Sequence, residues 1–170
     1  MTNMSLPSDA YDPTGDGANV AGTNNDEVVR QLNSFLRGEI SAAETYRMAI
    51  EKVTEADTAN LELMREIQTE HGRAAQALRE RIRDLGGEAS DSSGAWGVWA
   101  KLTQGTANLF GDASSLKALK EGEEHGLKDY REGVDDIDQT SQQLIENQLI
   151  PAQQRHINLL DQLINAAGNA

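Results

Sequence analysis

Apolar residues recur at steps of three and four along most of this chain, the spacing that places them on one face of an α-helix. From about Asn25 to Ala56 the stripe runs Val29, Leu32, Leu36, Ile40, Ala43, Ile50 and Val53. A second stripe follows a capping position at Asp57 or Thr58: Leu61, Met64, Ile67, Ala74, Ala75, Leu78, Ile82 and Leu85, stopping at Gly86 and Gly87. The third begins after Gly111, with Asp112 or Ser114 as cap, and runs through Leu116, Leu119, Leu127, Tyr130 and Val134 to about Ile137. The fourth starts between Asp138 and Ser141 and reaches about Ala166 through Ile145, Leu149, Ala152, Leu160 and Leu163. Pro151 falls inside it. Proline cannot donate to the carbonyl four residues back, here Asn147, so a kink is expected there in preference to a fresh helix start.

Almost no β-branched alternation appears, so strands are not expected. The stretch "GEASDSSGAWGVWAKLTQGTANLFGD" is too long for a tight hairpin. It predicts a crossover carrying a short helix from about Trp96 to Leu109, with Trp96, Trp99, Leu102 and Phe110 lying over the body of the protein. Two helix pairs with short turns, joined by one long crossover, make an all-α four-helix bundle. Residues 1–25, rich in Asp, Asn, Gly and Thr, read as a disordered acidic leader, and residues 26–168 as the bundle domain.

Each stripe is broken at its centre by a polar residue. Leu32, Glu39, Tyr46 and Val53 share a heptad line, as do Met64, His71, Leu78 and Leu85. The third helix carries Leu116, Glu123, Tyr130 and Ile137, and the fourth Leu149, His156 and Leu163. Every helix therefore aims one group able to ligate a metal into the core. Counted from the turns near residues 56 and 139, the four lie at similar heights, within about 3 Å at 1.5 Å rise per residue. Two Glu and two His are thus expected to meet at mid-bundle.

The halves also repeat. "GEISAAETYR" (Gly38 to Arg47) matches "GEEHGLKDYR" (Gly122 to Arg131) at Gly, Glu, Tyr and Arg, and "QTEH" matches "QQRH". Glu39 and His71 are 32 residues apart; Glu123 and His156 are 33 apart. The chain reads as two related helical hairpins facing each other.

In these residues the chain resembles the ferritin-like superfamily, in which two helices each give a Glu and two each give a Glu-x-x-His around a di-metal carboxylate centre. The Glu followed seven residues later by Tyr, as in Glu39/Tyr46 and Glu123/Tyr130, is similar to that superfamily too. Together with "SSGAWG", the two matched segments resemble a bacterial family of ferritin-like proteins whose function is not established. The resemblance spans about residues 27 to 166 and implies a ferritin-like four-helix bundle. Both Glu-x-x-His motifs are Gln-x-x-His here, Gln68/His71 and Gln153/His156. A neutral amide is a poor bridging ligand. Two divalent ions facing two carboxylates would leave positive charge uncompensated in a low-dielectric core. One divalent ion, Fe, Mn or Zn, with Glu39, His71, Glu123 and His156 is neutral, unless Glu44, Glu70 or Glu124 swings in. Tyr46, Gln68, Tyr130 and Gln153 are expected around those ligands, as hydrogen-bond partners or packing groups. The competing expectation is a metal-free buried network of the same Glu, His, Tyr and Gln.

Composition narrows the function. A net charge of -13, from 28 acidic and 15 basic residues, disfavours nucleic acid and anionic membranes as partners. With no Cys, disulfides, thiolate metal sites and cysteine nucleophiles are excluded. No basic-plus-apolar start marks a secretory signal, so a cytoplasmic location is expected. No Ser–His–Asp arrangement, P-loop or dinucleotide fingerprint appears. His125 falls on the opposite face of its helix from Glu123 and is expected at the surface. The ferritin-like resemblance implies metal binding, with iron or peroxide handling in stress as the associated role. The alternative is a non-catalytic interaction or stress protein built on the same bundle. Whether it is an enzyme stays open. A homo-oligomer is compatible with the fold, and a storage shell is not implied.

Overall fold

The computed structural model describes residues 17–51, 58–94 and 113–168. Four helical stretches are present there: α1 (Gly17–Ile50), α2 (Thr58–Asp84), α3 (Ala113–Gly133) and a composite fourth. That last stretch joins α4 (Gln139–Leu144), a π segment (Ile145–Leu149) and α5 (Ile150–Gly168). A 3-10 turn, Val134–Asp136, links the third to the fourth. α1 packs mainly along α2, and α3 along α5, so two hairpins face each other in an all-α four-helix bundle. No helix among the described residues is long and apolar enough to cross a membrane.

The boundaries differ from the sequence expectation in instructive ways. α1 begins at Gly17 rather than near Asn25, which puts part of the expected leader in a helix. Residues 17–25 contain no proline, and once the periodic segment is helical each added residue gains one hydrogen bond without new nucleation. The rest of the leader lies outside the described residues. So do Val53, the α1–α2 turn, and the crossover helix with Trp96, Trp99, Leu102 and Phe110.

In α1 the buried positions are Val28, Ala42 and Ala49 where Val29, Ala43 and Ile50 were expected. Adjacent apolar residues leave a stripe's register ambiguous by one position, and tertiary fit decides. Val29 is turned against the end of α2. A Cβ on Gly87 would fall 2.6 Å from both Val29 methyl groups, so only glycine allows that approach. Gly86 sits at φ 76, and the N–H groups of Gly86 and Gly87 donate to Arg83 O and Ile82 O at 2.9 Å, closing α2 with a left-handed cap.

The helical backbone runs unbroken through Pro151, and the interruption takes the form of the π segment just before it. There the Ile150 N–H donates to Ile145 O, five residues back. The wider turn is a way to keep a helix going where proline removes a donor and crowds the carbonyl of Asn147. It also absorbs one residue more than an α turn.

At the start of α4 the Asp138 carboxylate accepts from the backbone N–H groups of Thr140 (3.0 Å) and Ser141 (3.2 Å). Arg81, in the last turn of α2, donates to Asp138 at 2.7 Å and to Ser141 Oγ at 2.9 Å. One carboxylate thus caps a helix and ties the two hairpins together at this end.

The core is two apolar clusters with a polar layer between them. One gathers Leu32, Leu36, Leu78, Ile82, Ile145 and their neighbours. The other gathers Tyr46, Met64, Ile67, Leu116 and Leu160. Full burial of one such aliphatic side chain contributes roughly 2 kcal/mol.

Candidate metal centre

That layer holds Glu39 on α1, His71 on α2, Glu123 on α3 and His156 on α5, all buried. Each occupies the centre of its helix's apolar stripe, so packing of Leu32, Met64, Leu116 and Leu149 one heptad away fixes its inward direction. His71 Nδ1 lies 2.7 Å from Glu39 Oε2, and its Nε2 lies 3.1 Å from Glu123 Oε1. His156 Nδ1 is 3.3 Å from Glu123 Oε2, and the two imidazole rings meet edge to face at 4.8 Å. Glu123 is the hub, and the four residues form one continuous network.

The tyrosines cross between hairpins. Tyr46 of the first donates to Glu123 Oε1 of the second at 2.6 Å, and Tyr130 of the second donates to Glu39 of the first. Gln153 Nε2 donates both to the Glu123 carboxylate and, at 3.1 Å, to the Glu123 carbonyl. Gly126 makes room for that amide: a Cβ there would fall 3.0 Å from Gln153 Nε2. Gln68, its counterpart in the repeat, is only partly buried and joins no hydrogen bond of the network among the described residues.

The charges follow from this wiring. Burial alone would push Glu123 up and His71 down, because each loses water. The opposite charges outweigh it. His71 and His156 hold Glu123 at about 2, while Glu123 and then Glu39 lift His71 to about 10. Without a bound cation His71 is therefore an imidazolium at neutral pH. Burial, then the neighbouring carboxylate, raises both tyrosines well above their ordinary value, Tyr46 beside Glu123 and Tyr130 beside Glu39. Both stay phenols.

These bonds reach carboxylate acceptors in a buried layer, so losing one matters. Tyr130→Phe and Tyr46→Phe are each expected to lower stability by about 2 kcal/mol, the range for a hydrogen bond to a charged group. Urea denaturation checks this. Losses under about 0.5 kcal/mol would mean that the carboxylates find other donors.

His71, Glu123 and His156 each offer a ligand atom, and the three atoms all lie within 4.8 Å of one another. Glu39 stands behind this group, on the far nitrogen of His71, where a carboxylate fixes the ring and raises its basicity. Of the three flanking acids, only Glu70 faces the layer. Glu70 Oε2 lies 2.8 Å from His156 Nε2 and also accepts from Arg155 at 2.9 Å. Partial burial pushes Glu70 up, but His156 and then Arg155 hold it below the ordinary carboxylate value. Glu44 instead accepts from Ser93, and Glu124 pairs with Lys120. His125 is at the surface, 3.5 Å from Asp129. Glu70 precedes His71 by one residue, which turns it about 100° off the stripe centre toward α5. Nothing in the periodicity of α2 alone marks it.

A bundle of two facing hairpins with a Glu/His layer at mid-height has the ferritin-like four-helix fold. Among solved structures, one described as a ferritin-like, diiron-carboxylate protein from Bacillus anthracis str. Ames matches with a TM-score of 0.64 and 18% identity. It covers 83% of this chain and 97% of its own. The chain belongs to the family described as a domain of unknown function, DUF2383, whose model matches residues 27–136. That span includes Glu39, His71 and Glu123 and ends before Gln153 and His156. No curated protein matches the sequence.

Proposed function

We propose that this chain is a metal-binding ferritin-like protein that holds one divalent ion among His71, Glu123 and His156, with Glu39 orienting His71. The observation that carries this reading is the three buried donors within 4.8 Å of one another at the centre of the bundle. Two imidazoles and a carboxylate suit Fe, Mn or Zn. Two carboxylates, Glu39 and Glu123, balance the charge of a single divalent ion once His71 has lost its proton. Tyr46 and Gln153 donate to Glu123 and hold the carboxylate in place, and the apolar clusters above and below exclude water. A redox-active ion in such a site exchanges electrons with oxygen or peroxide. The likeness to a diiron-carboxylate protein favours iron among these ions. Iron or peroxide handling in stress, in the cytoplasm, is the role this reading carries.

The experiment is elemental analysis of protein purified without added metal, followed by titration with Fe(II) and Zn(II). About one equivalent per chain is expected, because Gln68 and Gln153 stand where bridging carboxylates would be needed for two. Gln68→Glu with Gln153→Glu raises the stoichiometry toward two. Saturation of the unaltered protein at two tight equivalents would overturn the single-ion reading.

A second reading has its own observation. No buried side-chain nitrogen or oxygen among the described residues lacks a hydrogen-bond partner. A layer that satisfies itself supports a metal-free structural network in an interaction or stress protein. The titration separates the two.

A further inference from the structure

The polar layer is sealed by the clusters above and below, so a cation reaches it from the side. Among the described residues, a small cavity and a groove touch it. The cavity, of about 30 Å³, lies beside Glu39 and Tyr130, walled by Phe35 and by Gly38, Gly122 and Gly126. It has room for about one water and no more. The groove, of about 310 Å³, runs between α2 and α5, lined by Glu66, Ile67, Glu70, Arg155, His156 and Leu159. It is ten times larger, and two carboxylates one helical turn apart line it.

We propose that a divalent cation enters and leaves the core through the α2–α5 groove, with Glu70 as its transfer ligand and Arg155 as the cation it displaces. The inference rests on the metal-binding reading above. His156 joins the two compartments. The ring is buried, yet its Nδ1 faces Glu123 in the core while its Nε2 faces Glu70 in the groove, at 3.3 and 2.8 Å. A cation taken up by Glu70 therefore lies one imidazole width from the three-donor group. Glu70 itself is placed for exchange: its side chain is 22% exposed, against 0% for Glu123. In the absence of a cation its charge is met by Arg155, whose side chain is 57% exposed and free to swing into water. Arg155 is the residue of the second hairpin that matches Glu70 in the repeat. The groove thus pairs an acid and a base at equivalent positions, and the acid alone touches a metal-site residue. Glu66, one turn earlier on α2, adds a second carboxylate at the groove wall.

The test follows Co(II) loading by its visible absorption in a stopped-flow instrument, then unloading into excess chelator. Glu70→Gln keeps an acceptor for His156 and removes the charge. It is expected to slow loading and unloading alike, each by about tenfold or more, the low end of what a charged cleft contributes to a rate. Stoichiometry stays the same and affinity nearly so. Arg155→Ala speeds loading. Glu62→Gln, which removes the same charge from an exposed position two turns away on α2, loads at the unaltered rate. Loading of Glu70→Gln at the unaltered rate would overturn the route while leaving the metal site standing. Faster release with unchanged loading would also overturn it, because Glu70 would then be a resident ligand. An unaltered protein that takes up no Co(II) removes the metal-binding reading, and the route with it.

Discussion

Glu123→Leu lowers the stability of the metal-free protein by about 3–5 kcal/mol, the cost of taking one partner out of a buried charge pair. Leucine fills a similar volume, so a cavity is not the cause. Four side chains lose the Glu123 carboxylate at once: Tyr46, His71, Gln153 and His156. The His71 imidazolium keeps Glu39 but loses the partner that contributes most to raising it. For a chain of this size the loss corresponds to roughly 10 °C in Tm. Thermal and urea melts in the presence of chelator measure it. Removing the imidazole as well, in His71→Leu with Glu123→Leu, restores part of the loss, since a buried ion pair replaced by apolar side chains is often close to neutral. A single variant within about 1 kcal/mol of the unaltered protein would mean that Glu123 is not the electrostatic hub. A double variant as unstable as the sum of the two singles would mean that the pair is not coupled.

What the sequence made legible, and what it hid, follows from where information about a helix resides. Glu39, His71, Glu123 and His156 stand out because each interrupts an apolar heptad line, and rigid helices carry that one-dimensional pattern into space with little change. The Tyr46 and Tyr130 positions are legible for the same reason, though not their crossing to the opposite hairpin's carboxylate, which depends on how two helices that are distant in sequence face each other. Gln68 and Gln153 look equivalent in the repeat and are not. Gln153 is buried against Glu123, while Gln68 stays at the edge of the layer. Nothing local to "QTEH" or "QQRH" encodes that difference. Glu70 was legible only as one of three flanking acids, because what singles it out comes from α5, a helix more than eighty residues away. Pro151 marked where the helix departs from regular α geometry, and the π segment before it is the form that departure takes.

The protonation of His71 gives the second large effect: as pH rises above about 6.5 the metal-free protein loses stability from this group and the metal-loaded protein does not. His71 is raised from 6.5 to about 10, so the stability it contributes is whole below pH 6.5 and is lost as pH rises through about 10. Glu123 is lowered from 4.5 to about 2, so its contribution is whole above pH 4.5 and is lost as pH falls through about 2. These two contributions to the metal-free network are therefore fullest between pH 4.5 and 6.5 and weaken on the alkaline side. A metal ion needs the neutral imidazole, so binding at neutral pH expels the His71 proton. The stabilisation that Zn(II) adds grows with pH by about 1.4 kcal/mol per unit for each proton displaced. Melting curves of chelated and Zn(II)-loaded protein should move apart between about pH 6.5 and 9, and charges common to both states cancel in the difference. Calorimetric titration in buffers of different ionisation enthalpy should count about one proton released per ion near neutral pH. A difference in Tm that stays flat across this range, or binding without proton release, would mean that His71 keeps its proton between Glu39 and Glu123, and that any ion bound lies elsewhere than among these residues.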